Sequence, residues 1–374
     1  MTGSPATTAD RSRLAAPIIG VVGAGVMGSG IAQVALEAGD EVLLDDVDEA
    51  AVERAADRIR DGLTRRAAHL DLDADTIDDW VDGRLTRLRT ATTLDQLGAE
   101  ADVVIEAALE SLDLKQTIFR TLDAAAFPTT ILATNTSALS IGVIAAVTDH
   151  PERVIGLHFF NPAPLMPLVE VVAGPLTTAS VVESAVALVE RWGKTAVRSA
   201  DTPGFIVNRV NRPFTIEALR ILEAGEASIE AIDRAMHDVG FPMGPFELMD
   251  LTGVDVTLAA ARGIWEGLGR PDRLRPSPIQ EALVAGGRLG RKSGVGFYRY
   301  EDGRRGAVAH DASVEGTLAA EAIRERILAA VDAEARLALD EGVASAADID
   351  LALRLGAAHP NGPFERSGEG SRTA

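Results

Sequence analysis

His158 closes an apolar run, Gly156-Leu157-His158-Phe159-Phe160-Asn161-Pro162, and Glu170 sits inside another, Leu168-Val169-Glu170-Val171-Val172. A carboxylate in an apolar strand is costly unless it is paired. An imidazole titrates near neutral pH, so a histidine oriented by that carboxylate is a general base suited to proton abstraction. The plainer alternative is a satisfied core histidine beside a structural glutamate. The other five histidines stand in polar or helical contexts and read as surface or structural groups. Asn135-Thr136-Ser137 ends a further apolar run and sets small polar groups at the same edge, although Ser137 could equally cap a helix. Asn208, in Pro203-Gly204-Phe205-Ile206-Val207-Asn208-Arg209, opens a helical stretch. It reads either as a donor into a ligand cleft or as a helix-face hydrogen bonder.

Gly23-Ala24-Gly25-Val26-Met27-Gly28 follows one strand-like run and opens a helix. In such a turn the first glycine permits the bend and the second admits a pyrophosphate to the backbone. The third lets helix and strand pack closely. The N–H groups at Val26 and Met27 and the helix dipole favour an anion. Asp46 ends the next strand, where an acid binds a ribose 2′-hydroxyl, and Asp45 is adjacent. Two carboxylates there repel a 2′-phosphate, so NAD is expected over NADP. A glycine-rich structural turn is the alternative.

Seven apolar runs position these groups: 17–22, 41–46, 101–107, 129–135, 153–160, 168–172 and 195–200. Most are separated by helix-length segments, which predicts a parallel sheet covered on both faces. Residues 49–92 read as a long helix or helical hairpin projecting from that sheet. After Thr202-Pro203-Gly204 the pattern turns helical, with no good strand run through residue 300. The expected divisions are a disordered tail (1–16), a nucleotide-binding domain (17–201), a helical domain (202–300) and a second, incomplete helical unit (301–374). The last rests on an echo between Leu222–Glu247 and Leu339–Glu365, which share an Ile-Asp pair and a terminal Gly-Pro-Phe-Glu. Partial duplication of a helical unit accounts for it.

The 374 residues carry a net charge of −20 and no cysteine. The acidic balance argues against nucleic acid and anionic membranes as partners. The missing cysteines exclude a thiolate nucleophile and Cys-ligated metal, and no metal site is expected. No apolar run approaches the ~20 residues that span a bilayer, and the first sixteen residues lack a signal-peptide core, so a cytoplasmic protein is expected. The charge is uneven. Residues 37–62 hold ten acids and three bases, whereas residues 262–292 hold seven bases and three acids.

The chain resembles the NAD-dependent L-3-hydroxyacyl-CoA dehydrogenases, including bacterial 3-hydroxybutyryl-CoA dehydrogenases. The matching segments are GAGVMGSGIA, VIEAALESLDLKQTIF, TNTSALSI, GLHFFNPAPLMPLVEVV, DTPGFIVNRVNRPFTIEA, GFPMGPFELMDLTGVD and GRKSGVGFYRY, within residues 17–300. The resemblance implies an α/β Rossmann domain followed by an all-α C-terminal domain that forms a homodimer. It implies His158 as the base for the 3-hydroxyl, Glu170 as its orienting partner, and Ser137 and Asn208 as donors to the substrate oxygen. Gly23, Gly25, Val26, Met27, Gly28, Asp46, Glu110, Lys115 and Asn135 fall to the NAD site. The substrate would be an (S)-3-hydroxyacyl-CoA of fatty-acid or related acyl-CoA metabolism, oxidised reversibly to the 3-ketoacyl-CoA. Pro167 departs from the lysine common in relatives. Arg65 and Arg66 of the 49–92 segment, or arginines of the helical domain, would meet the CoA phosphates. Alternatives are a same-fold dehydrogenase of a free sugar acid and a non-catalytic, crystallin-like NAD-binding protein.

Overall fold

Ile18-Ile19-Gly20-Val21-Val22 is β-branched at four of five positions, and it forms the first strand, β1 (Ile18–Val22). The structure is a computed structural model that describes residues 17–310 and 316–368. The expected tail over 1–16 lies outside the described residues. The chain folds as two units that meet in sequence at Val197 and Arg198.

In the first unit β1 is followed by α1 (Val26–Glu37), β2 (Glu41–Asp45), α2 (Glu49–His69), α3 (Ala74–Leu85), β3 (Leu88–Thr90), α4 (Leu94–Glu100) and β4 (Val103–Glu106). Then come α5 (Leu112–Ala125), β5 (Ile131–Thr134), α6 (Ile141–Ala145), β6 (Val154–Phe159), β7 (Leu168–Ala173), α7 (Ala179–Arg191) and β8 (Thr195–Ala200). The strands lie in the order β3-β2-β1-β4-β5-β6-β7-β8. The order reverses between β1 and β4, the place where open α/β sheets bind ligands at their strand C-termini. Ile19, Val21, Val42, Leu44, Ile105 and Leu157 are essentially inaccessible and anchor the core.

Two expectations need correction here. The sheet is mixed, because β6 and β7 pair antiparallel. Only residues 160–167 join them, too few for the dozen or more that a parallel crossover needs. The 49–92 segment does form a helical hairpin, but it does not simply project. Ala55, Ile59 and Leu63, spaced at about one helical turn, enter the same core as β1. It also ends in a strand that the sequence hid. β3 is three residues long and pairs with β2 at the sheet edge, too short to show a period.

The second unit contains α8 (Val207–Val210), α9 (Arg212–Glu223), α10 (Ile229–His237), α11 (Pro245–Thr252), α12 (Val254–Gly267), α13 (Pro278–Ala285), β9 (Tyr298–Glu301), β10 (Arg304–Val308), α14 (Ala320–Asp340), α15 (Ala346–Gly356) and α16 (Pro363–Ser367). It is therefore not all-α: β9 and β10 form an antiparallel hairpin. Asp302 (φ 49°) and Gly303 (φ 73°) make its turn, the left-handed pair of a type I′ hairpin. Asp-Gly is a strong hairpin signal, and it ends the helical pattern expected through residue 300 with a strand that begins at Tyr298.

The two echoing stretches fold alike. Ser228 caps α10 by accepting from Ala231 N (3.2 Å), and Ser345 caps α15 by accepting from Asp348 N (3.1 Å). Asp233 accepts from Phe246 N at 3.0 Å, and Asp350 from Phe364 N at 2.8 Å. A Cβ on Gly244 or on Gly362 would overlap those same aspartates, so both helix starts require glycine. The helices that precede the two stretches, α8 and α9 on one side and α14 on the other, exchange ion pairs. Arg209 Nε lies 2.9 Å from Glu334 Oε1, and Arg326 Nε lies 2.7 Å from Glu217 Oε1.

Candidate active site

The turn after β1 is built as its glycines require. Gly23 has φ 97° and donates its N–H to Asp45 O at 2.8 Å. A Cβ on Gly28 would overlap the Gly23 carbonyl oxygen, whereas one on Gly25 would meet nothing within 4 Å. The backbone above Gly25, at the start of α1, is therefore open to a ligand, and Val26 and Met27 open the helix beside it. Asp46 is half-buried. Its Oδ2 accepts from Ala24 N at 2.7 Å and its Oδ1 from Asp48 N at 3.1 Å. Each oxygen keeps a lone pair for a ribose hydroxyl. Burial, with Asp46 beside it, pushes the Asp45 carboxyl above its usual range. These residues fit NAD. Sequence reasoning missed Arg58, whose guanidinium on α2 reaches Ala24 O (2.5 Å) and Ser29 Oγ (3.2 Å) against the same turn. Nothing local in the sequence marks it, since it acts only because α2 lies along α1.

Glu110 and Lys115 belong to a buried network. Lys115 is 1% exposed, and its Nζ lies 2.7 and 2.8 Å from the two oxygens of Glu106, which is fully buried at the end of β4. Thr134 Oγ1 and Ala108 N also donate to Glu106, each at 2.7 Å. Glu110 lies 3.3 Å from Lys115 and accepts from Ser137 N at 3.1 Å, Ala138 N at 3.3 Å and the Thr136 hydroxyl. The pair thus braces the Ser137 loop. Glu106 was another omission, although an acid closing an apolar strand was visible. Asn135 Oδ1 accepts from Phe159 N at 2.8 Å, which ties the end of β5 to the end of β6.

The braced loop meets the histidine. Ser137 Oγ lies 2.9 Å from His158 Nε2, and His158 Nδ1 lies 2.6 Å from Glu170 Oε2. His158 is 4% exposed and Glu170 0%, while Ser137 is exposed. An ionised carboxylate only accepts, so Nδ1 carries the hydrogen and donates it to Glu170. Nε2 of the neutral ring then accepts from the Ser137 hydroxyl. The basic nitrogen therefore lies against the hydroxyl of the exposed Ser137. Phe160 packs against the ring at 4.6 Å between centroids. Asn208, on α8 of the second unit, is half-buried, and its amide has no hydrogen-bond partner among the described residues.

A family model described as "3-hydroxyacyl-CoA dehydrogenase, NAD binding domain" matches residues 18–202. The model for the C-terminal domain of the same enzymes matches residues 204–300 and 323–369. The chain belongs to the 3-hydroxyacyl-CoA dehydrogenase family. Its first unit is the family's NAD-binding domain. The second C-terminal match falls on the echoing stretch. The chain is 48% identical over 295 residues to a 3-hydroxyadipyl-CoA dehydrogenase of Escherichia coli, covering 79% of this chain but 61% of that protein. It is 44% identical over 283 residues to a probable 3-hydroxybutyryl-CoA dehydrogenase of Bacillus subtilis, covering 75% of this chain and 96% of that one. The crystal structure of a 3-hydroxybutyryl-CoA dehydrogenase from Escherichia coli K12 superposes with a TM-score of 0.86. It is 37% identical and covers 95% of this chain and 92% of that one.

Proposed function

We propose that the protein oxidises (S)-3-hydroxyacyl-CoA to 3-ketoacyl-CoA reversibly, with His158 as the base. The observation that carries this is the His158–Glu170 pair, with its basic nitrogen held at an exposed serine. His158 Nε2 takes the proton of the 3-hydroxyl, and Glu170 stabilises the imidazolium that results. Ser137 Oγ, and Asn208 by the family resemblance, donate to the substrate oxygen and steady its developing charge. Gly23, Gly25, Val26, Met27, Gly28, Asp46 and Asn135 hold or frame the cofactor, and Glu110 and Lys115 keep the Ser137 loop in place beside it. NAD, when bound, supplies the hydride acceptor. The reading extends to a cytoplasmic homodimer acting in fatty-acid or related acyl-CoA metabolism. No helix among the described residues is long and apolar enough to cross a membrane.

The intact dyad supports catalysis over a non-catalytic NAD-binding role. Reduction of acetoacetyl-CoA, followed by loss of NADH absorbance, tests the reading. Steady turnover that free CoA inhibits is expected. Turnover of free hydroxy acids with indifference to CoA would move the protein to the sugar-acid alternative.

A further inference from the structure

Arg58 reaches from α2 to the glycine turn and holds it at two points. Its Nη2 donates to Ala24 O, and its Nε donates to Ser29 Oγ at 3.2 Å. Ser29 Oγ in turn donates to Gly25 O at 2.7 Å, beside the ordinary helical bond from Ser29 N at 2.9 Å. The guanidinium thus grips the Ala24 carbonyl directly and the Gly25 carbonyl through a hydroxyl. Ala24 N is held separately, by Asp46 Oδ2 at 2.7 Å.

Each gripped carbonyl shares a peptide plane with the next N–H. In a trans peptide the C=O and the N–H point in opposite directions. Holding Ala24 O therefore fixes where the Gly25 N–H points, and holding Gly25 O fixes the Val26 N–H. Both residues are exposed, and neither N–H has a partner among the described residues. These are the donors that a turn of this kind offers to a diphosphate. Gly25 has no Cβ to restrict its backbone, so the direction of its amide depends on such outside bonds. The charge of Arg58 agrees with this use. Both groups it holds are neutral, and no carboxylate pairs with it among the described residues. A cation beside the first turn of α1 opposes the helix dipole until an anion lies there. We propose that Arg58 is a positioning residue of the NAD site. It fixes the two peptides that flank Gly25 and so aims the Gly25 and Val26 N–H groups at the cofactor diphosphate.

The test titrates the intact protein with NADH, ADP-ribose and adenosine, by calorimetry or, for adenosine, by ligand-observed NMR. The first two carry the diphosphate, whereas adenosine carries only the base and ribose. Arg58→Met should weaken NADH and ADP-ribose by about 10–100-fold, the effect of misaimed donors to a charged group, and leave adenosine nearly unchanged. Arg58→Lys, which can hold one carbonyl, should recover part of the loss. Ser29→Ala cuts only the relay to Gly25 O and should weaken the same two ligands by less. The loss should persist at high salt, which screens a distant charge but does not reorient a peptide. Misfolded molecules lower the number of sites and not the dissociation constant, so a poorly folding variant can still be read. Equal weakening of all three ligands by Arg58→Met would make Arg58 a general support of the fold and overturn the proposal. Unchanged NADH binding, or a loss that vanishes at high salt, would overturn it too. No ligand reacts in these titrations, so their outcome is independent of the dehydrogenase reading.

Discussion

His158 on β6 and Glu170 on β7 are directly opposed residues of one antiparallel ladder, with Nδ1 and Oε2 2.6 Å apart. The ladder fixes both backbones, so the dyad does not depend on a loop for its geometry. The antiparallel turn-back after β6 is what makes this possible. A parallel crossover would have carried Glu170 to another part of the sheet. Glu170 is itself 0% exposed, so bulk water cannot take the imidazole's place beside the carboxylate.

Glu170→Gln keeps the shape of the side chain but removes the charge that stabilises the imidazolium. Turnover should fall by about 10²–10³-fold, within the range for general-base assistance. NADH affinity, read by fluorescence titration, should be unchanged. Loss of both together would point to a collapsed sheet rather than to a positioning role.

Asp46 selects the cofactor. Asp46→Ala removes a charged acceptor for the ribose and should weaken NAD by about 10–100-fold, the value of a charge-assisted hydrogen bond. kcat/KM for NADP should hold or rise, because a carboxylate that repels a 2′-phosphate has gone. A variant that loses both cofactors equally would show that Asp46 serves only the turn, where it accepts from Ala24 N.

Much of this site was legible because its chemistry sits at strand ends. The glycine turn, Asp46, Ser137, His158 and Glu170 each stood out as a polar or flexible residue against an apolar run. Arg58 and Glu106 were not singled out. Arg58 needs α2 packed along α1, and Glu106 needs Lys115 folded back from α5. The strand ladders escaped for a different reason. β3 has too few residues to show a period, and β9 was masked by the helical pattern around it despite its Asp-Gly turn.

The exchanged ion pairs of the helical unit should contribute unequally. Arg209 and Glu334 are 0% and 1% exposed, whereas Arg326 and Glu217 are 38% and 11% exposed. Glu334→Ala removes the buried partner of Arg209, leaving it only the half-exposed Glu341, and unpairs Arg273 as well; it should cost about 3–5 kcal/mol in urea unfolding. Glu217→Ala leaves an arginine that water can reach, and should cost less. Equal losses would contradict this account of the pairing.

His359 links stability to acid. It is buried against Phe214 and Phe241, its Nε2–H donates to Asn211 Oδ1 at 2.8 Å, and burial lowers its pKa to about 3. The folded protein keeps it neutral while the unfolded chain protonates it near pH 6.5. Its contribution is therefore intact above that pH and is lost as pH falls from 6.5 toward 3, at up to about 1.4 kcal/mol per pH unit. His359→Gln should be less stable than wild type at pH 7.5, and that gap should narrow at pH 5. A gap that is the same at both pH values would remove His359 from the acid response.

The central claim is that His158 is the base of a 3-hydroxyacyl-CoA dehydrogenase. Its most direct test is the rate of NADH formation from (S)-3-hydroxybutyryl-CoA and its longer-chain and dicarboxylic counterparts by the wild type and by His158→Gln. The account predicts steady turnover by the wild type, and in the variant a rate about 10²–10⁴-fold lower with NADH binding intact. An undiminished rate in His158→Gln, or a wild type inert toward every 3-hydroxyacyl-CoA, would contradict it.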